Sequence, residues 1–452
     1  LGIDPEWLAS DEGVAVVSGN VVPEGSEPLA AVYAGHQFGN YNPQLGDGRA
    51  ILLGEIIANN GNRYDLQLKG SGPTPYSRGG DGRSPLGPVL REYIVSEAMH
   101  ALGVPSTRAL AAVTTGDKVA REQFLPGAIL ARVAGSHIRI GTLQYFAAKQ
   151  DIDALRLLTQ HVMVRHYPET LNTENPSLAM FQAIISRQAA LVADWLLLGF
   201  IHGVMNTDNM LLSGETIDFG PCAFMDGFKP DMVYSSIDHG GRYAYRNQPG
   251  IAHWNLACLA QCLIPLLHED QEQAVELAQQ AVDAFPHAYL QAHTRGMARK
   301  LGLAEVNGDD DTTLVEDLFA LMAEHNTDFT LTFRRLADPA GESASGPDTV
   351  GELFEIPDAF LPWLARWRQR LDQDGADPAT RQAAMYRANP AFIPRNHLVE
   401  EAIQAASSDG DFQPFQTMIE ILAEPHQYRA EYSRYAMPPQ PEQVVHQTFC
   451  GT

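Results

Sequence analysis

Two polar residues that could bind one metal ion, Asn209 and Asp218, flank the pair Ser213-Gly214. Short apolar runs lie between each of them and this pair, and a Gly-containing pair between apolar runs predicts a two-residue hairpin turn. Such a turn would place Asn209 directly opposite Asp218, with Cβ atoms roughly 4.5–5.5 Å apart. An amide oxygen and a carboxylate at that spacing could share a hard cation such as Mg²⁺. The alternative is that both are only polar residues beside a turn.

The same segment has the form of the metal-binding motifs of protein kinases. Asp218-Phe219-Gly220 matches the kinase metal-binding triplet, and His202 and Asn209 keep the kinase spacing between histidine and second metal ligand. Val204 stands where the kinase catalytic aspartate would be, and valine cannot accept a proton. Asp208 is the nearest residue that could replace this base, although it could instead be a metal ligand or a turn residue. The segment therefore predicts a metal site without the usual base.

Two glycine-rich segments earlier in the chain, residues 33–49 and 70–83, could approach an anion with their backbone amides. An ordinary surface loop is the alternative for the first, and the proline and glycine content of the second excludes a helix. The candidate residues of these segments are Gly46, Gly48, Arg49, Asp81 and Gly82.

A lysine, a glutamate and two arginines lie on the elements that would position these segments. Lys69 ends an alternating stretch typical of a half-buried strand, and Glu92 lies in the first two turns of a helix predicted over Pro88–Leu102. A strand lysine and a helix glutamate form the pair that orients the phosphate-binding lysine of kinases, although two unrelated exposed charges would look the same. Arg132 lies inside an apolar strand and Arg139 follows it. A buried arginine needs an anionic partner, either a structural carboxylate or a ligand phosphate.

Composition limits the class of protein. The chain has 452 residues, of which 45% are hydrophobic and 19% are charged, as in soluble globular proteins. A formal net charge of −24 argues against a nucleic-acid partner, which needs a basic surface. Four cysteines are too few for a disulfide framework, which favours a reducing compartment. The longest apolar stretch, Leu191–Met205, is too short to span a bilayer, and no signal peptide is recognisable. We expect no membrane partner and a cytoplasmic location, or a mitochondrial one in a eukaryote.

The order of predicted elements suggests an α+β fold. Residues 1–145 form a strand-rich N-terminal lobe with nucleotide-binding loops, 146–335 a helical lobe with the metal hairpin, and 336–452 a helical C-terminal extension and tail. This is the layout of a protein-kinase-like, two-lobed fold with nucleotide between the lobes. A Rossmann fold is less consistent with the sequence, since no Gly-x-Gly-x-x-Gly follows a strand and opens a helix.

The sequence resembles the selenoprotein O family of pseudokinases over nearly its whole length. The motifs that carry this resemblance are Tyr33-Ala-Gly-His-Gln-Phe-Gly39, Gln44-Leu-Gly-Asp-Gly-Arg49, Leu68-Lys-Gly-Ser-Gly-Pro-Thr-Pro-Tyr-Ser-Arg78, Asp81-Gly-Arg83, His202-Gly-Val-Met-Asn-Thr-Asp-Asn-Met210 and Asp218-Phe-Gly-Pro221. The resemblance implies a protein adenylyltransferase that moves AMP from ATP to Ser, Thr or Tyr hydroxyls of proteins, redox proteins among them. Two alternatives stay open: an atypical kinase that transfers the γ-phosphate, and a non-catalytic ATP-binding scaffold.

The resemblance also implies roles for individual residues. Lys69, oriented by Glu92, would hold the terminal phosphates, and Arg132 and Arg139 would grip them from the other side. Asp208 would act as general base. The remaining roles are lining of the nucleotide pocket by Gly46, Gly48, Arg49, Asp81 and Gly82, and binding of Mg²⁺, or Mn²⁺, by Asn209 and Asp218.

A cysteine just before the C-terminus is a further feature of the family, which is linked to redox regulation through it. Cys450 occupies that place here. Some bacterial relatives have a second cysteine where this chain has Tyr234-Ser235-Ser236, so the resemblance leaves the partner of a regulatory disulfide open. Cys222, Cys258 and Cys262 are the alternatives, and an inert tail thiol is another.

Overall fold

The computed structural model describes residues 1–341, 350–354 and 357–449, which form a mixed α/β fold. The strands are β1 (Gly35–Gln37), β2 (Asn40–Asn42), β3 (Ala50–Ile57), β4 (Arg63–Lys69), β5 (Ser84–Pro85), β6 (Arg108–Ala120), β7 (Phe124–Ala134), β8 (Phe200–Ile201) and β9 (Ala223–Phe224). The helices of the first half are α1 (Pro5–Leu8), α2 (Asp11–Val17), α3 (Leu86–Ala101), α4 (Ile140–Ala148), α5 (Ile152–His166) and α6 (Pro176–Leu197). Those of the second half are α7 (Gln248–Leu267), α8 (Gln271–Asp283), α9 (Phe285–Leu301), α10 (Gly308–Glu324), α11 (Phe329–Arg335), α12 (Pro357–Asp374), α13 (Pro378–Ala388), α14 (Asn396–Gln404), α15 (Gln413–Leu422) and α16 (Ser433–Ala436).

An antiparallel sheet of five strands carries the lysine and one of the arginines. Its order is β3-β4-β7-β5, and β6 also pairs with β7. Across the β4–β7 pair, Gln67 lies opposite Arg132 and Lys69 opposite Leu130. Because side chains alternate along a strand, Gln67, Lys69 and Arg132 share one face of the sheet. The predicted strands at Lys69 and Arg132 are therefore present.

Helix α3 packs against this sheet. Its residues Leu86 and Leu90 share an apolar cluster with Leu130 of β7. The helix therefore brings Glu92, two residues after Leu90, beneath the face that carries Lys69 and Arg132. The helix predicted over this region is confirmed, with its start two residues earlier than expected.

One local prediction is wrong. The predicted hairpin around Ser213-Gly214 does not form, because Leu211 pairs with Arg139 and Thr216 pairs with Ser106 instead. Both apolar runs are buried and find distant partners, so the turn only closes Leu211 to Gly214, whose N–H lies 3.2 Å from the Leu211 carbonyl. Residues 14–17, three of which are valine, belong to helix α2. Its N-terminus is capped by Ser10, and this local hydrogen bond outweighs the β-branched composition.

The helices that follow the sheet enclose the largest apolar core, which includes buried side chains from Val95 to Ile393. Helices α14 and α15 pack against α3. Arg395, just before α14, forms ion pairs with Asp226, which follows the Asp-Phe-Gly triplet, and with Asp328, just before α11. The described residues include one helical stretch, Tyr245–Leu267, that is long and apolar enough to cross a membrane. Half of the most apolar 18-residue window of this stretch is buried within the protein.

Candidate active site

Asn209 and Asp218 meet although no hairpin joins them. The Asn209 side-chain amide donates to Asp218 Oδ2 at 3.1 Å and to the Val204 carbonyl at 3.0 Å. Asn209 lies in a short 3-10 turn, and Asp218 has a left-handed backbone conformation with φ of 67°. Since the amide nitrogen is engaged by both partners, the Asn209 side-chain oxygen is the atom that would serve a cation.

Lys69, Glu92 and Arg132 form a continuous ion network next to this pair. Glu92 contacts Lys69 through one carboxylate oxygen and Arg132, at 2.9 Å, through the other. Lys69 Nζ lies 3.6 Å from Asp218 Oδ1. Burial raises the pKa of Asp218, but Lys69 and Arg49 outweigh it and lower the pKa to about 2. The carboxylate at the proposed metal position is therefore ionised at any physiological pH.

Asp208, next to Asn209 in the chain, is also buried. Burial raises its pKa to about 6, although Arg139 acts in the other direction. Gln37 donates to Asp208 Oδ2 at 3.3 Å, whereas the other oxygen, Oδ1, is buried without a hydrogen-bond partner among the described residues. A Cβ on Gly35 would lie 2.5 Å from that oxygen, so the β1 backbone can approach Asp208 only with glycine there. Asp208 thus has the properties of a weak base with one acceptor oxygen to spare.

Arg139 is held by a residue that sequence reasoning missed. Its guanidinium donates to the Asp208 carbonyl at 2.5 Å and lies 3.4 Å from Asp47 Oδ1. Asp47 is buried and also accepts from Gln67 at 3.1 Å. Its position between Gly46 and Gly48 was the available signal. The sequence left either a structural carboxylate or a ligand phosphate as the partner of each buried arginine. In the structure each arginine has a carboxylate partner, which is Glu92 for Arg132 and Asp47 for Arg139.

Glycines in the two glycine-rich loops allow one close approach between the loops and another within the second loop. Gly46 has a φ of 137°, and a Cβ there would lie 2.5 Å from the Tyr76 ring. Gly82 has a φ of 66°, and a Cβ there would lie 2.1 Å from the Gly72 carbonyl oxygen. A larger residue at Gly46 would push the two loops apart, and one at Gly82 would open the second loop, to which Gly72 also belongs.

Asp81 lies at the mouth of the cleft and pairs with a second residue that was not predicted. Its carboxylate lies 2.9 Å from Arg121 at the end of β6 and accepts the Arg83 backbone N–H at 3.0 Å. No sequence motif links Asp81 with Arg121. The two residues meet only in the folded protein, where β6 brings Arg121 to Asp81.

One cavity of about 750 Å³ collects the predicted residues. Every predicted site residue lines it except Glu92, which lies beneath Lys69 and Arg132. The lining residues among the predicted ones are Gly46, Gly48, Arg49, Lys69, Asp81, Gly82, Arg132, Arg139, Asp208, Asn209 and Asp218. Val204, at the position of the kinase base, also lines the cavity.

The residues fit a magnesium ion that is shared with phosphate. The described residues contain no cluster of three or more His, Cys, Asp or Glu that would hold a metal ion alone. Magnesium usually keeps several waters and binds one or two carboxylates together with substrate phosphates. An ionised Asp218 beside the Asn209 oxygen meets that requirement.

Cys450 lies outside the described residues. The three described cysteines, Cys222, Cys258 and Cys262, are buried, and burial raises the pKa of Cys258 to about 11 and that of Cys262 to about 12. Neither of these two thiols is activated for exchange, because the reactive form is the thiolate.

A family model matches most of this chain, and known proteins match it over its full length. A family model described as "Protein adenylyltransferase SelO" matches residues 1–423. A protein named protein nucleotidyltransferase YdiU from Rhodopseudomonas palustris strain BisB18 is 58% identical over 452 residues, which are 100% of this chain and 91% of that protein. Proteins of the same name from Bradyrhizobium diazoefficiens and Rhizobium etli strain CIAT 652 are 57% and 56% identical, and the matches span 100% of this chain and 91% and 90% of those proteins.

Proposed function

Because the chain belongs to the protein adenylyltransferase SelO family, we propose that its cleft transfers AMP from ATP to Ser, Thr or Tyr hydroxyls of proteins and releases pyrophosphate. The predicted family and the predicted class of nucleotidyltransferase are confirmed by the comparisons. One observation carries the detailed proposal. Lys69, Arg132 and Arg139 converge with Asn209 and Asp218 on a single cavity in which Val204 replaces the kinase base.

The proposed architecture is the protein-kinase-like, two-lobed fold. Its units are residues 1–145 with the sheet and the nucleotide loops, 146–335 with the metal pair, and 336–452 as the helical extension and tail. Two contacts support this proposal. One is the ion pair between Lys69 on a strand and Glu92 on a helix, and the other is the hydrogen bond between Asn209 and Asp218 within residues 146–335. These are the two kinase positions that hold phosphates and metal.

The cations are proposed to hold the phosphate tail of ATP. Lys69 has a side chain that is 12% exposed, so it can reach a ligand while Glu92 fixes its direction. Arg132 and Arg139 line the same cavity from β7 and from the start of α4. Charge on departing pyrophosphate is stabilised by donors that are already in place, since no reorganisation is needed during the reaction. Gly46, Gly48, Arg49, Asp81 and Gly82 are proposed to line the rest of the nucleotide pocket.

Asp208 is proposed as the general base. The acceptor hydroxyl oxygen forms a bond to the α-phosphorus, and the bond from that phosphorus to the oxygen bridging to the β-phosphorus breaks. The hydroxyl proton goes to Asp208, and pyrophosphate leaves with the bonding electron pair. A pKa of about 6 leaves this carboxylate mostly ionised at neutral pH, which suits proton acceptance.

Asn209 and Asp218 are proposed to hold Mg²⁺, with Mn²⁺ as the alternative. When bound, the ion would neutralise charge on the phosphates. Redox proteins are proposed among the protein substrates. We further propose that neither nucleic acid nor membrane is a partner and that the chain acts in the cytoplasm, or in mitochondria in a eukaryote. The net charge of −24 supports the exclusion of nucleic acid.

The experiment is incubation of the protein with a mixed protein substrate and ATP labelled at either the α- or the γ-phosphate. We expect label to enter protein from the α position only. Entry from the γ position alone would establish the kinase alternative, and no entry from either position, with ATP still bound, would establish the scaffold.

Asp218→Ala, measured in the same assay, tests the proposed metal position. Loss of its carboxylate should abolish Mg²⁺-dependent transfer, because the only ionised member of the Asn209–Asp218 pair is removed. Full transfer by this variant would contradict the proposed metal position while leaving the reaction itself in place.

A further inference from the structure

The two arginines that are proposed to hold the phosphate tail are connected through a neutral side chain. Arg132 on β7 pairs with Glu92, and Arg139 at the start of α4 pairs with Asp47. Gln67 on β4 lies between these two ion pairs, and the sheet register places it directly opposite Arg132. Gln67 is 1% exposed and, unlike both arginines, does not line the catalytic cavity. It can therefore affect the cavity only through its neighbours.

Both ends of the Gln67 amide are engaged. Its oxygen accepts from two nitrogens of the Arg132 guanidinium, from Nε at 3.2 Å and from Nη2. Its nitrogen donates to Oδ2 of Asp47 at 3.1 Å. A side-chain amide offers an acceptor to a cation at one end and a donor to an anion at the other. These contacts therefore fix which way the amide points.

Asp47 continues the connection to Arg139. Asp47 is 3% exposed, and its Oδ1 lies 3.4 Å from Nη2 of Arg139. Its Oδ2 accepts from the Ala31 backbone N–H at 3.2 Å as well as from Gln67. These three partners are all donors, so an amide nitrogen in place of either oxygen would face another donor. Arg139 in turn donates to the Asp208 carbonyl at 2.5 Å, so the path reaches the backbone of the proposed base.

The packing of the sheet does not depend on this amide. Main-chain pairing joins β4 to β7 over five residue pairs. An apolar cluster covers the opposite face of the sheet, because side chains alternate along each strand. Its buried members on β4 and β7 are Leu66, Leu68, Ile129, Ala131 and Val133. An uncharged substitute of similar shape at Gln67 should therefore leave the sheet folded.

We propose that Gln67 is a positioning residue for AMP transfer, whose amide orients Arg132 and Arg139 together for binding of the phosphate tail of ATP. The coupling between the two arginines passes through Asp47. This inference rests on the proposed function, in which both arginines bind that tail. A guanidinium binds phosphate oxygens in a fixed planar geometry, so its orientation matters as well as its charge. With the amide in place, both guanidinium groups are oriented before the ligand arrives.

The test compares two substitutions at this position. Gln67→Met keeps the length of the side chain without its polar atoms, whereas Gln67→Glu keeps an acceptor for Arg132 but places like charge against Asp47. ATP affinity is measured by calorimetry with Mg²⁺, and transfer from α-labelled ATP is measured in a single turnover. We expect both variants to bind ATP more weakly and to transfer AMP about 10- to 100-fold more slowly at saturating ATP, as is typical when reacting groups are displaced. Natural affinity and rate in Gln67→Glu would show that Gln67 serves Arg132 alone and would overturn the proposal.

A comparison of double variants tests the path through Asp47. Gln67→Met and Asp47→Asn break the same connection, so their combined loss in transfer rate should be clearly smaller than the product of the two separate losses. Asp81→Asn is the control for the second substitution, because Asp81 belongs to a separate ion pair with Arg121 at the mouth of the same cavity. Its loss should multiply with that of Gln67→Met. Full multiplication in both pairs would overturn the proposal.

A further variant separates positioning from a general loss of stability. Asn389→Leu removes another buried amide, which donates to the Lys300 carbonyl at 2.9 Å and does not line the catalytic cavity. This variant should lower the urea midpoint but leave AMP transfer by folded protein unchanged. If Gln67→Met behaves in the same way, the proposal is overturned. If the natural protein binds ATP but transfers no AMP, the proposed reaction fails, while the ATP affinities of the variants still test the role of Gln67.

Discussion

Glu92→Gln tests the ion network that orients Lys69. The Glu92 side chain is 3% exposed and is shared by Lys69 and Arg132. Removal of one partner from a buried ion pair typically costs about 3–5 kcal/mol. Arg132 keeps its hydrogen bonds to Gln67, and Lys69 keeps Asp218 at 3.6 Å. We therefore expect a loss near the lower end, about 3 kcal/mol.

The same helix offers a matched control. Glu97 pairs with Arg108 at 2.7 Å, but the Arg108 side chain is 41% exposed. An exposed ion pair contributes roughly 0–1 kcal/mol, so Glu97→Gln should destabilise the protein by about 1 kcal/mol or less. The measurement is the urea midpoint of unfolding, followed by tryptophan fluorescence. Equal losses in the two variants would refute the reasoning.

The pH dependence of the Glu92 contribution has a definite sign. Burial raises the pKa of Glu92, but Lys69 and Arg132 outweigh it and hold the pKa below the ordinary value of 4.5. The stabilisation is therefore complete above about pH 4.5 and is lost as the pH falls through the lower pKa of the folded state. Glu92→Gln should remove this part of the acid dependence.

Glu92→Gln should also lower the rate of AMP transfer by more than the loss of folded protein explains. Without the Glu92 carboxylate, Lys69 can turn fully toward Asp218 and away from the phosphates. Loss of one such preorganised cation typically lowers turnover about 100- to 1,000-fold. The assay is transfer of α-labelled AMP at saturating ATP by protein shown to be folded. Unchanged transfer would mean that Glu92 does not position the lysine.

Three further variants test other parts of the molecule. Asp208→Asn should lower single-turnover AMP transfer about 100- to 10,000-fold with little change in ATP affinity, and an unchanged rate would leave Asp208 as a turn residue or ligand. Arg395→Met should destabilise the protein by roughly 3–5 kcal/mol in urea unfolding, because Asp226 and Asp328 lose a fully buried partner; a loss under about 1 kcal/mol would contradict this. Lys300→Met should flatten the rise in stability between about pH 7 and 10.5, where the unfolded chain binds the extra proton; an unchanged slope in urea midpoints would contradict the lowered pKa.

Local patterns in the sequence were sufficient for the elements that carry the site. The strands at Lys69 and Arg132 and the helix at Glu92 follow from periodicity and from glycine and proline signals, because both depend on residues close in the chain. The motifs in the two glycine-rich segments, together with those around Asn209 and Asp218, carried the resemblance to the family. The nature of the chemistry was therefore encoded in residue types and short spacings.

The contacts between these elements were decided by the tertiary structure. The hairpin that was expected to join Asn209 and Asp218 is absent, yet their side chains meet, because each flanking run pairs with a distant segment. Asp47 reaches Arg139, 92 positions away, and Asp81 reaches Arg121, 40 positions away.

Such partners could not be read from the chain, since no periodic pattern links residues that only folding brings together. The sequence by itself determined which charged and polar groups are available for the proposed phosphate chemistry. The packing of β4, β7 and α3 decided which of these groups face one another, because ion pairs form only where burial and distance allow them.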